Sequence, residues 1–345
     1  MKKFCLFLVS LGILFLSTGF VEAQTDKGIK LRFSQHYPAT HFFSQHGASF
    51  FMERVKTLSN GKITFAFFPG EQLAKTREQL DLGQTGGADI VGVVPSYAPG
   101  RMRLSAVMEL PGAFTSARTG AAMYRKIAEE KFFLENDFLK NGVRPLILNT
   151  FEPYEVFIKD KKPIRFPEDI KGKKLRTTGE SVGPSLKAIG AVQIAMPTID
   201  VYDALQRGTV DGLLSGYSSL LSYKLDEVVK SFTVGCGLTS LQNTWVINEK
   251  VWQSLPEETK KILLQAGEEA SDNLGQKLDE LVDNAIVKLE KKGIIANKLT
   301  PAEKAKWQEA TKSTKDSWVA QMEKLGLPGK QTVEKWWELK AAMEK

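Results

Sequence analysis

The sequence predicts an α/β protein with two lobes that are discontinuous along the chain. In residues 29–94, short β-branched runs alternate with helical patterns, an order typical of a sheet flanked by helices. Further on, two strand patterns are separated by a crossover helix, as in open α/β sheets. Residues 256–292 carry apolar side chains every three or four positions, which predicts one very long helix.

The first lobe is assigned mainly to residues 24–150. Its predicted elements are a strand at 29–34, a helix at 42–58, a strand at 62–68, a short helix at 77–84, a strand at 88–94, a helix capped by Ser116 and a strand at 143–149. Because strands and helices alternate in this segment, it indicates an α/β domain.

The second lobe is assigned mainly to residues 151–235, and it contains the stretch from which the functional predictions start. A strand ending at Arg176 is followed by a helix that begins near Ser181. A second helix is predicted with Thr198 as its N-cap, and it leads to a strand at 210–214.

Residues 236–345 complete the predicted architecture. Strands at 232–235 and 244–247 are expected to return toward the first lobe. The long helix is expected to brace both lobes, and a dimerising coiled coil is the alternative interpretation of its apolar stripe. Two further helices are predicted to begin near Thr300 and Thr332.

Arg176 stands at the end of a predicted strand, where open α/β sheets build ligand crevices. Its guanidinium is planar and permanently charged, so it matches the two oxygens of a carboxylate. A surface arginine paired with a nearby Asp or Glu is the alternative, since arginines are often paired within the protein. The residues alone leave both interpretations open.

Four segments resemble the solute-binding proteins of TRAP transporters (tripartite ATP-independent periplasmic transporters), in their DctP-like branch. The segments are GKITFAFFPGEQL, IKGKKLRTTGES, MPTIDVYDALQRGTVDG and VINEKVWQSLPEETKKIL, and they occur in the family's order. The resemblance implies a two-lobed periplasmic-binding-protein fold with discontinuous domains, a long lobe-spanning helix and C-terminal helices. It also implies a function, which is to capture an organic acid and deliver it to a small and a large membrane subunit.

The resemblance further implies that Arg176 holds the carboxylate of the ligand and that Lys162 matches a second basic contact. Many members carry Asn at the position of Ser215, where this chain has a shorter hydroxyl side chain. Leu213 and Leu214 make the same edge less polar. A monocarboxylate with an apolar body, such as a 2-oxo acid, is therefore expected in preference to a dicarboxylate.

Aromatic and polar residues in loops after strand ends complete the predicted ligand site. An apolar slot with a polar end is the usual form of a small-molecule site, although core packing explains each single aromatic as well. The further ligand-binding candidates are Tyr37, Glu71, Phe151, Tyr217 and Trp245, with Tyr97 as another loop aromatic.

The N-terminal residues predict a secretion signal. Lys2 and Lys3 precede an apolar run, and small residues end it before a cleavage site after Ala23, so the mature protein is expected in the periplasm. A retained membrane anchor is the alternative. Cys5 lies in the signal, which leaves Cys236 alone in the mature chain, in an apolar setting that favours a buried thiol.

Charge and motifs argue against several other classes of function. The formal net charge is +7, spread as mixed charges without a basic run interleaved with aromatics, so no nucleic-acid partner is expected. His36, His41 and His46 follow at spacings of five and do not share one face, so no metal site is assigned. No catalytic motif or phosphate loop is recognised, so neither a catalytic residue nor a cofactor is assigned.

Two other functions are compatible with the sequence. One is a periplasmic adaptor that binds a solute and docks on a sensor. The other is a secreted hydrolase that uses carboxylates such as Glu71 or Asp211.

Overall fold

Two β-sheets organise the chain, one in each lobe, within the residues 28–98, 100–179 and 181–344 that the computed structural model describes. The predicted signal peptide and its cleavage site lie outside these residues. The lobe 1 sheet consists of β1 (Ile29–Ser34), β2 (Ile63–Phe68), β3 (Ile90–Val93), β4 (Val143–Thr150) and β10 (Gln242–Asn248). Its order is β2-β1-β3-β10-β4, with β10 antiparallel to both of its neighbours.

The lobe 2 sheet holds the predicted strand of Arg176. It consists of β5 (Glu155–Ile158), β6 (Lys174–Thr177), β7 (Val192–Ala195), β8 (Gly212–Ser215), β9 (Ser231–Val234) and β11 (Ile295–Lys298), in the order β11-β9-β5-β8-β6-β7. β6 and β8 are parallel, so their carboxyl ends meet at one edge of the sheet, whereas β5 runs antiparallel to β8. β9 pairs with β5 in this sheet, so the prediction that it returns to lobe 1 is wrong.

Twelve α-helices flank these sheets in the described part of the chain. They are α1 (Ser49–Leu58), α2 (Gln79–Thr85), α3 (Ala117–Glu129), α4 (Lys131–Phe133), α5 (Gly183–Ala188), α6 (Val201–Gln206), α7 (Tyr217–Ser222), α8 (Glu249–Ser254), α9 (Glu257–Lys291), α10 (Pro301–Thr311), α11 (Thr314–Lys324) and α12 (Gly329–Met343). Ser116 caps α3 as predicted, since its side chain accepts a hydrogen bond from Thr119 N. The C-terminal region forms three helices where two were predicted.

Helix α9 is the predicted long helix, and its 35 residues span about 50 Å. It packs on α1, α3 and β4 in lobe 1 and on α7 and β11 in lobe 2. The predicted apolar stripe is buried at Leu263, Ala266, Ala270, Leu274, Leu278, Ala285 and Leu289. Because this stripe is already covered by both lobes, α9 is a brace between them and not a free coiled-coil seam. None of the described helices is long and apolar enough to cross a membrane.

Two segments connect the lobes and run antiparallel to each other. The first joins β4 to β5, and the second joins β9 to β10. Tyr154 and Thr239 form an isolated bridge between these segments, and Phe151 N donates to the carbonyl of Leu241. The free thiol of Cys236 is buried in the second segment, as predicted. These crossings lie next to the lobe boundaries proposed at residues 150 and 235.

Candidate functional site

Arg176 lies at the carboxyl end of β6 and is only 1% exposed. Its Nε and Nη2 donate to the carbonyl of Met196 at 3.0 and 2.7 Å. Nη2 also donates to Thr198 Oγ1 at 2.9 Å and to the Tyr97 hydroxyl at 3.3 Å. The guanidinium is thus fixed in place by three oxygens that carry no formal charge.

The described partners of Arg176 bear on the two interpretations left open by the sequence. Many carboxylates form ion pairs with lysines and arginines, and none of the ion pairs among the described residues includes Arg176. None of its hydrogen bonds to described residues uses Nη1. A buried cation without an acidic partner is costly, so this arrangement favours an anionic ligand over a structural ion pair.

The two lobes meet beside Arg176. Tyr97, in a 3-10 turn after β3, brings its hydroxyl within 3.2 Å of both the backbone N and the Oγ1 of Thr198. Close by, a Cβ atom on Gly179 would lie 2.7 Å from the carbonyl oxygen of Ser96, so glycine permits the approach of the lobes at this point. The structure therefore describes a closed cleft with Arg176 on its lobe 2 wall.

A cavity of about 400 Å³ lies between the lobes next to this contact. Its lining includes Ser96 of lobe 1, which precedes Tyr97, and Gly179 of lobe 2, which follows Thr178. Gln242, which precedes Asn243, also lines it. Arg176 is not part of its lining. The volume falls in the range usual for small-molecule sites.

Aromatic rings form the lobe 1 wall of the cleft. The Tyr37 ring lies between His36, tilted by 43° with 3.8 Å between centroids, and His41, stacked with 4.3 Å between centroids. The His36 ring lies 5.8 Å from Tyr97, and the His41 ring lies 5.3 Å from Tyr223 of lobe 2. We call the stack of His36, Tyr37 and His41 the His–Tyr–His stack.

Burial holds the His–Tyr–His stack uncharged at neutral pH. It lowers the pKa of His36 to about 4, against a smaller opposing effect of Glu71, and the pKa of His41 to about 3. Burial also raises the pKa of Tyr37 well above its ordinary value, with smaller contributions from neighbouring tyrosines. These three rings of the lobe 1 wall are therefore neutral.

Tyr37 and Glu71 are the two further predicted site residues that lie at the cleft. Tyr37 donates its hydroxyl to Asn243 Oδ1 at 3.0 Å. Glu71 lies close enough to His36 and Tyr223 for its charge to raise the pKa of both. Its own carboxylate is engaged, because Oε1 accepts from the backbone N of Thr76 at 2.7 Å, so Glu71 fixes its loop.

Phe151 and Trp245 lie behind the aromatic wall. Phe151 stacks on Phe43 at 4.2 Å between centroids, and Trp245 is fully buried. Trp245 Nε1 donates to Gln35 Oε1 at 2.9 Å, and Gln35 is the residue that precedes the His–Tyr–His stack. Both aromatics therefore support the wall from the lobe 1 core.

Ser215 and Tyr217 follow β8 and differ in position. Leu213 of β8 is the register partner of Arg176 on the neighbouring strand β6. Ser215 comes two residues after Leu213, so the Ser215 side chain lies on the same face of the sheet as that of Arg176. The Tyr217 ring instead packs on Phe157 at 5.7 Å, and it lines a separate groove of about 900 Å³ beside α9. The structure brings Ser215, but not Tyr217, toward Arg176.

Lys162 and Asp211 lie at the opposite edge of the lobe 2 sheet. Lys162 is exposed, and its backbone N donates to Asp160, which pairs with Lys173 at the start of β6. This position follows from β5 running antiparallel to β8, since the chain then leaves β5 at the edge away from Arg176. Asp211 accepts from the backbone N of Lys174 at the same edge. Glu71 and Asp211 are therefore not assembled into one hydrolytic site.

Several cleft residues are absent from the predicted ligand set. The sequence pattern marks Tyr97 only as a loop aromatic, Thr198 as a helix cap, and His36 and His41 only as candidate metal ligands. α6 begins after Asp200 without a side-chain cap, because Thr198 Oγ1 is occupied by Arg176 and Tyr97. The cleft residues that the predicted ligand set lacks are His36, His41, Tyr97, Met196, Thr198, Tyr223 and Asn243.

Comparison with known proteins places this geometry in a family. The model of "Bacterial extracellular solute-binding protein, family 7" (DctP) matches residues 33–321. The chain belongs to this family. Membership confirms the resemblance to TRAP solute-binding proteins, which are binding proteins and not enzymes.

Several solute-binding proteins match this chain over most of its length. The C4-dicarboxylate-binding periplasmic protein DctP of Rhodobacter capsulatus is 27% identical over 293 residues, covering 81% of this chain and 84% of that protein. A marine metagenome TRAP solute-binding protein specific for aromatic acids, solved with 3-hydroxybenzoate, is 25% identical with a TM-score of 0.86, covering 92% of this chain and 99% of the other.

A third similar protein is a TRAP periplasmic solute-binding protein from Bordetella bronchiseptica, solved with (R)- and (S)-mandelate. It is 25% identical to this chain with a TM-score of 0.80, and the match covers 91% of this chain and 99% of that one. These similarities confirm the two-lobed α/β fold with C-terminal helices that the sequence predicts.

Proposed function

We propose that this protein is the extracytoplasmic receptor of a TRAP transporter and that it binds an aromatic monocarboxylate between its lobes. The carboxylate lies at Arg176, and the ring lies against the His–Tyr–His stack and Tyr97. The observation that carries the proposal is a guanidinium that is 1% exposed and has no acidic partner among the described residues.

Electrostatics explains why an anion belongs at this position. Two opposite unit charges at 4 Å attract by about 4 kcal/mol at an effective dielectric constant of about 20, and this attraction grows as water is excluded. The carbonyl of Met196 and the hydroxyls of Tyr97 and Thr198 orient the guanidinium without neutralising it. A ligand carboxylate therefore supplies the missing negative charge when the lobes close.

The opposite wall supports an aromatic body and a single carboxylate. A second carboxylate would meet uncharged His36 and His41, since the other basic candidate, Lys162, lies at the far edge of the sheet. Aromatic rings instead find stacking and edge-to-face partners there. The solved relatives with 3-hydroxybenzoate and mandelate are consistent with the same ligand class.

The remaining parts of the proposal concern location and partners. Cleavage after Ala23 releases the mature protein into the periplasm, where it captures the acid. The loaded, closed form then delivers it to the small and the large membrane subunit. Family membership and the predicted signal support these two steps.

Substitution of Arg176 tests the proposal. A thermal-shift screen of organic acids first identifies the tightest aromatic monocarboxylate, and calorimetry then compares the variants. We expect Arg176→Ala to weaken binding at least about 100-fold, because an unpaired carboxylate remains in the closed cleft. Arg176→Lys restores only part of the affinity, since an ammonium cannot form the planar fork.

Arg54→Ala is the matched control, because Arg54 forms a half-exposed ion pair with Glu269 on α9, away from the cleft. This variant binds like the wild type, and circular dichroism verifies the fold of all three variants. Unchanged affinity in both Arg176 variants would remove this residue from the site. Tighter binding of a dicarboxylate than of every monocarboxylate would overturn the proposed ligand class.

A further inference from the structure

Glu109 is a buried carboxyl group of lobe 1 that the proposed ligand site does not use. It ends a 3-10 turn before α3 and is 4% exposed. Its Oε1 accepts hydrogen bonds from Ser96 Oγ and, at 3.1 Å, from Gln242 Nε2. Its backbone carbonyl accepts from Thr239 Oγ1 at 2.7 Å. Glu109 therefore ties the turn that follows β3 to the second connecting segment and to the start of β10.

The turn that Glu109 holds carries the lobe 1 side of the contact between the lobes. The Tyr97 hydroxyl is 3.3 Å from Arg176 Nη2. Ser96 packs closely on lobe 2, since a Cβ atom on Gly179 would lie 2.7 Å from both the Cβ and the carbonyl oxygen of Ser96. Because Glu109 fixes Ser96, the position of this turn against lobe 2 depends on the Glu109 carboxyl group.

The surroundings of Glu109 include residues of both lobes. Glu109 lines the cavity of about 400 Å³ between them. Lobe 2 contributes Gly179, Ser181, Pro184 and Ala195 to the same lining, and the Ser181 hydroxyl reaches the Glu109 carboxyl group itself. Separation of the lobes removes this wall, so water then reaches the carboxyl group from the cavity side.

Burial controls the charge of Glu109 in the closed form. It raises the pKa of this carboxyl group, against smaller opposing effects of the hydrogen bonds from Ser96, Ser181 and Gln242. Where water surrounds the group, its pKa returns toward the ordinary value of a glutamate. The closed form therefore binds a proton at Glu109 more tightly than the open form.

The charged and titratable groups around Glu109 do not supply a counter-ion. Arg77, Arg101 and Arg103 line the same cavity, but none of the ion pairs among the described residues includes Glu109. The described residues of α11 and of lobe 2 in the lining are uncharged. Tyr154 of the first connecting segment lies near, and its hydroxyl is un-ionised, because burial and the charges around it, that of Glu109 among them, raise its pKa well above the ordinary value.

We propose that Glu109 is a positioning residue for lobe closure, whose carboxyl group holds the turn of Tyr97 against lobe 2 and takes up a proton from the solvent as the lobes close. Closure replaces water by protein around the group, which favours its neutral form. By linkage, this contribution to closure is present at acid pH and is lost as the pH rises through the raised pKa of the closed form. The inference rests on the proposed function only in that the ligand binds between the lobes.

The histidines of the lobe 1 wall act in the opposite sense. Burial lowers the pKa of His36 and of His41, so acid favours any state in which water reaches these rings. Their effect is the same whatever residue occupies position 109. A comparison of the wild type with Glu109→Gln therefore isolates the contribution of Glu109.

Calorimetry with benzoate and mandelate as probes, from pH 5 to pH 8, tests the inference on the mature protein. We expect Glu109→Ala to weaken binding about tenfold at pH 5, because Ser96 loses its partner. Glu109→Gln keeps an acceptor oxygen for Ser96 and resembles the neutral carboxyl group, so it binds much like the wild type at pH 5. The wild-type affinity relative to Glu109→Gln should fall about threefold or more between pH 5 and pH 8.

Two further variants make the test specific. Asp137→Asn is the matched control, because Asp137 is also buried in lobe 1 with its pKa raised to about 6, but it accepts from the backbone N of Leu104 and Ser105 within the lobe. It should keep the wild-type pH profile. Ser96→Ala removes the same hydrogen bond from the other side and should weaken binding as Glu109→Ala does, so it decides the matter if Glu109→Ala does not fold.

Nitroxide labels measure closure without a ligand. Lys56→Cys on α1 and Lys187→Cys on α5 place exposed labels on the two lobes, while Cys236 is buried. Distances between the labels, measured by electron paramagnetic resonance, then give the populations of closed and open forms. We expect Glu109→Ala and Ser96→Ala to reduce the closed population.

The outcomes separate this inference from the proposed function. Wild-type affinity and wild-type label populations in both Glu109→Ala and Ser96→Ala would overturn the positioning role. The same pH profile in the wild type and in Glu109→Gln would overturn the proton uptake. If neither probe binds the wild type, the proposed ligand class fails, and the label populations, measured at pH 5 and pH 8, decide this inference on their own.

Discussion

Single side chains in the cleft are held in fixed charge states by burial. Burial keeps the His36 and His41 rings neutral and Tyr37 un-ionised, and the His36 ring is linked to the Arg176 guanidinium through Tyr97. The consequence is a site with the Arg176 guanidinium on lobe 2 and a neutral aromatic wall on lobe 1, beside the carboxylate of Glu71. Acid is expected to destabilise the folded protein, because these histidines take up a proton more readily once they are exposed to water.

The stability of the protein should depend on the protonation of His41. Its pKa is about 3 in the folded protein and about 6.5 in an unfolded chain, so the unfolded chain takes up the proton first. This contribution to stability is fully present above about pH 6.5 and is lost as the pH falls toward 3. Between pH 7.5 and 5.0 it amounts to about 2 kcal/mol.

Urea unfolding of the wild type and His41→Phe at these two pH values measures this effect. The free energy of unfolding of His41→Phe, relative to wild type, should rise by about 2 kcal/mol at pH 5.0. Buried carboxyls with raised pKa, such as Glu155 at about 7, act equally in both proteins and cancel. His46→Phe, whose half-exposed ring has its pKa lowered less by burial, should show a smaller change. A difference that does not vary with pH would contradict the prediction.

At the scale of residues, the sequence identified Arg176 but not most of its neighbours. Arg176 is recognisable because the family motif surrounds it and a strand ends there. Tyr37 and Asn243 form one hydrogen bond across 206 positions of sequence, and no local pattern predicts such a pair. Thr198 has the residue type and spacing of an N-cap, but the buried guanidinium competes for its hydroxyl.

Among the elements, α9 is positioned by close backbone contact with lobe 1. Its Gly267 faces β4, where a Cβ atom would lie 2.1 Å from the carbonyl oxygen of Leu146. Gly275 likewise faces α3, where a Cβ atom would lie 2.8 Å from the Cα of Arg118. These two glycines let the helix lie directly on the sheet and on its neighbouring helix.

Gly267→Ala should therefore destabilise the protein, although alanine is the better helix former. In an exposed helix the change would stabilise by about 0.5–1 kcal/mol. Here the methyl group overlaps a backbone carbonyl that cannot move aside, so we expect a loss of about 1–3 kcal/mol. Thermal or urea unfolding measures the sign. Glu268→Ala on the exposed side of α9 is the control, and a stabilised Gly267→Ala would refute the close contact.

The long elements were predictable and the short edge elements were not. The apolar stripe of α9 repeats over many turns, so its ends were predicted within a residue. The sequence did not predict β7 and β11, the two edge strands of the lobe 2 sheet. Each has only four residues, and most of them are exposed or half-buried. Such short strands lack the alternation of apolar and polar residues that marks a strand in a sequence. The break between α10 and α11 has no proline and was missed for the same lack of a signal.

For the whole molecule, the closed arrangement depends on a few contacts between the lobes. The Tyr97 hydroxyl meets Thr198, and Phe42 N donates to Ser222 Oγ at 3.3 Å. The connecting segments and α9 run continuously through both lobes. Opening therefore breaks a small set of hydrogen bonds at the cleft and bends the segments between the sheets.

Ligand binding should make the molecule more compact. The charge on Arg176 disfavours closure until a carboxylate balances it, so a ligand shifts the population toward the closed form. Small-angle scattering should show a smaller radius of gyration at saturating ligand than without ligand. Arg176→Ala with the same ligand is the control and should show no change. Identical wild-type curves with and without ligand would argue against closure.

The position of β10 between β3 and β4 also determines when lobe 1 can fold. Protein chains emerge N-terminus first, so β3 and β4 are made before the whole lobe 2 segment, and the strand that joins them comes after it. Until β10 arrives, both strands present unpaired edges that can pair with other chains. No single cut releases a complete lobe, so the two halves cannot be produced as separate fragments, and aggregation during synthesis is a hazard inherent in this strand order.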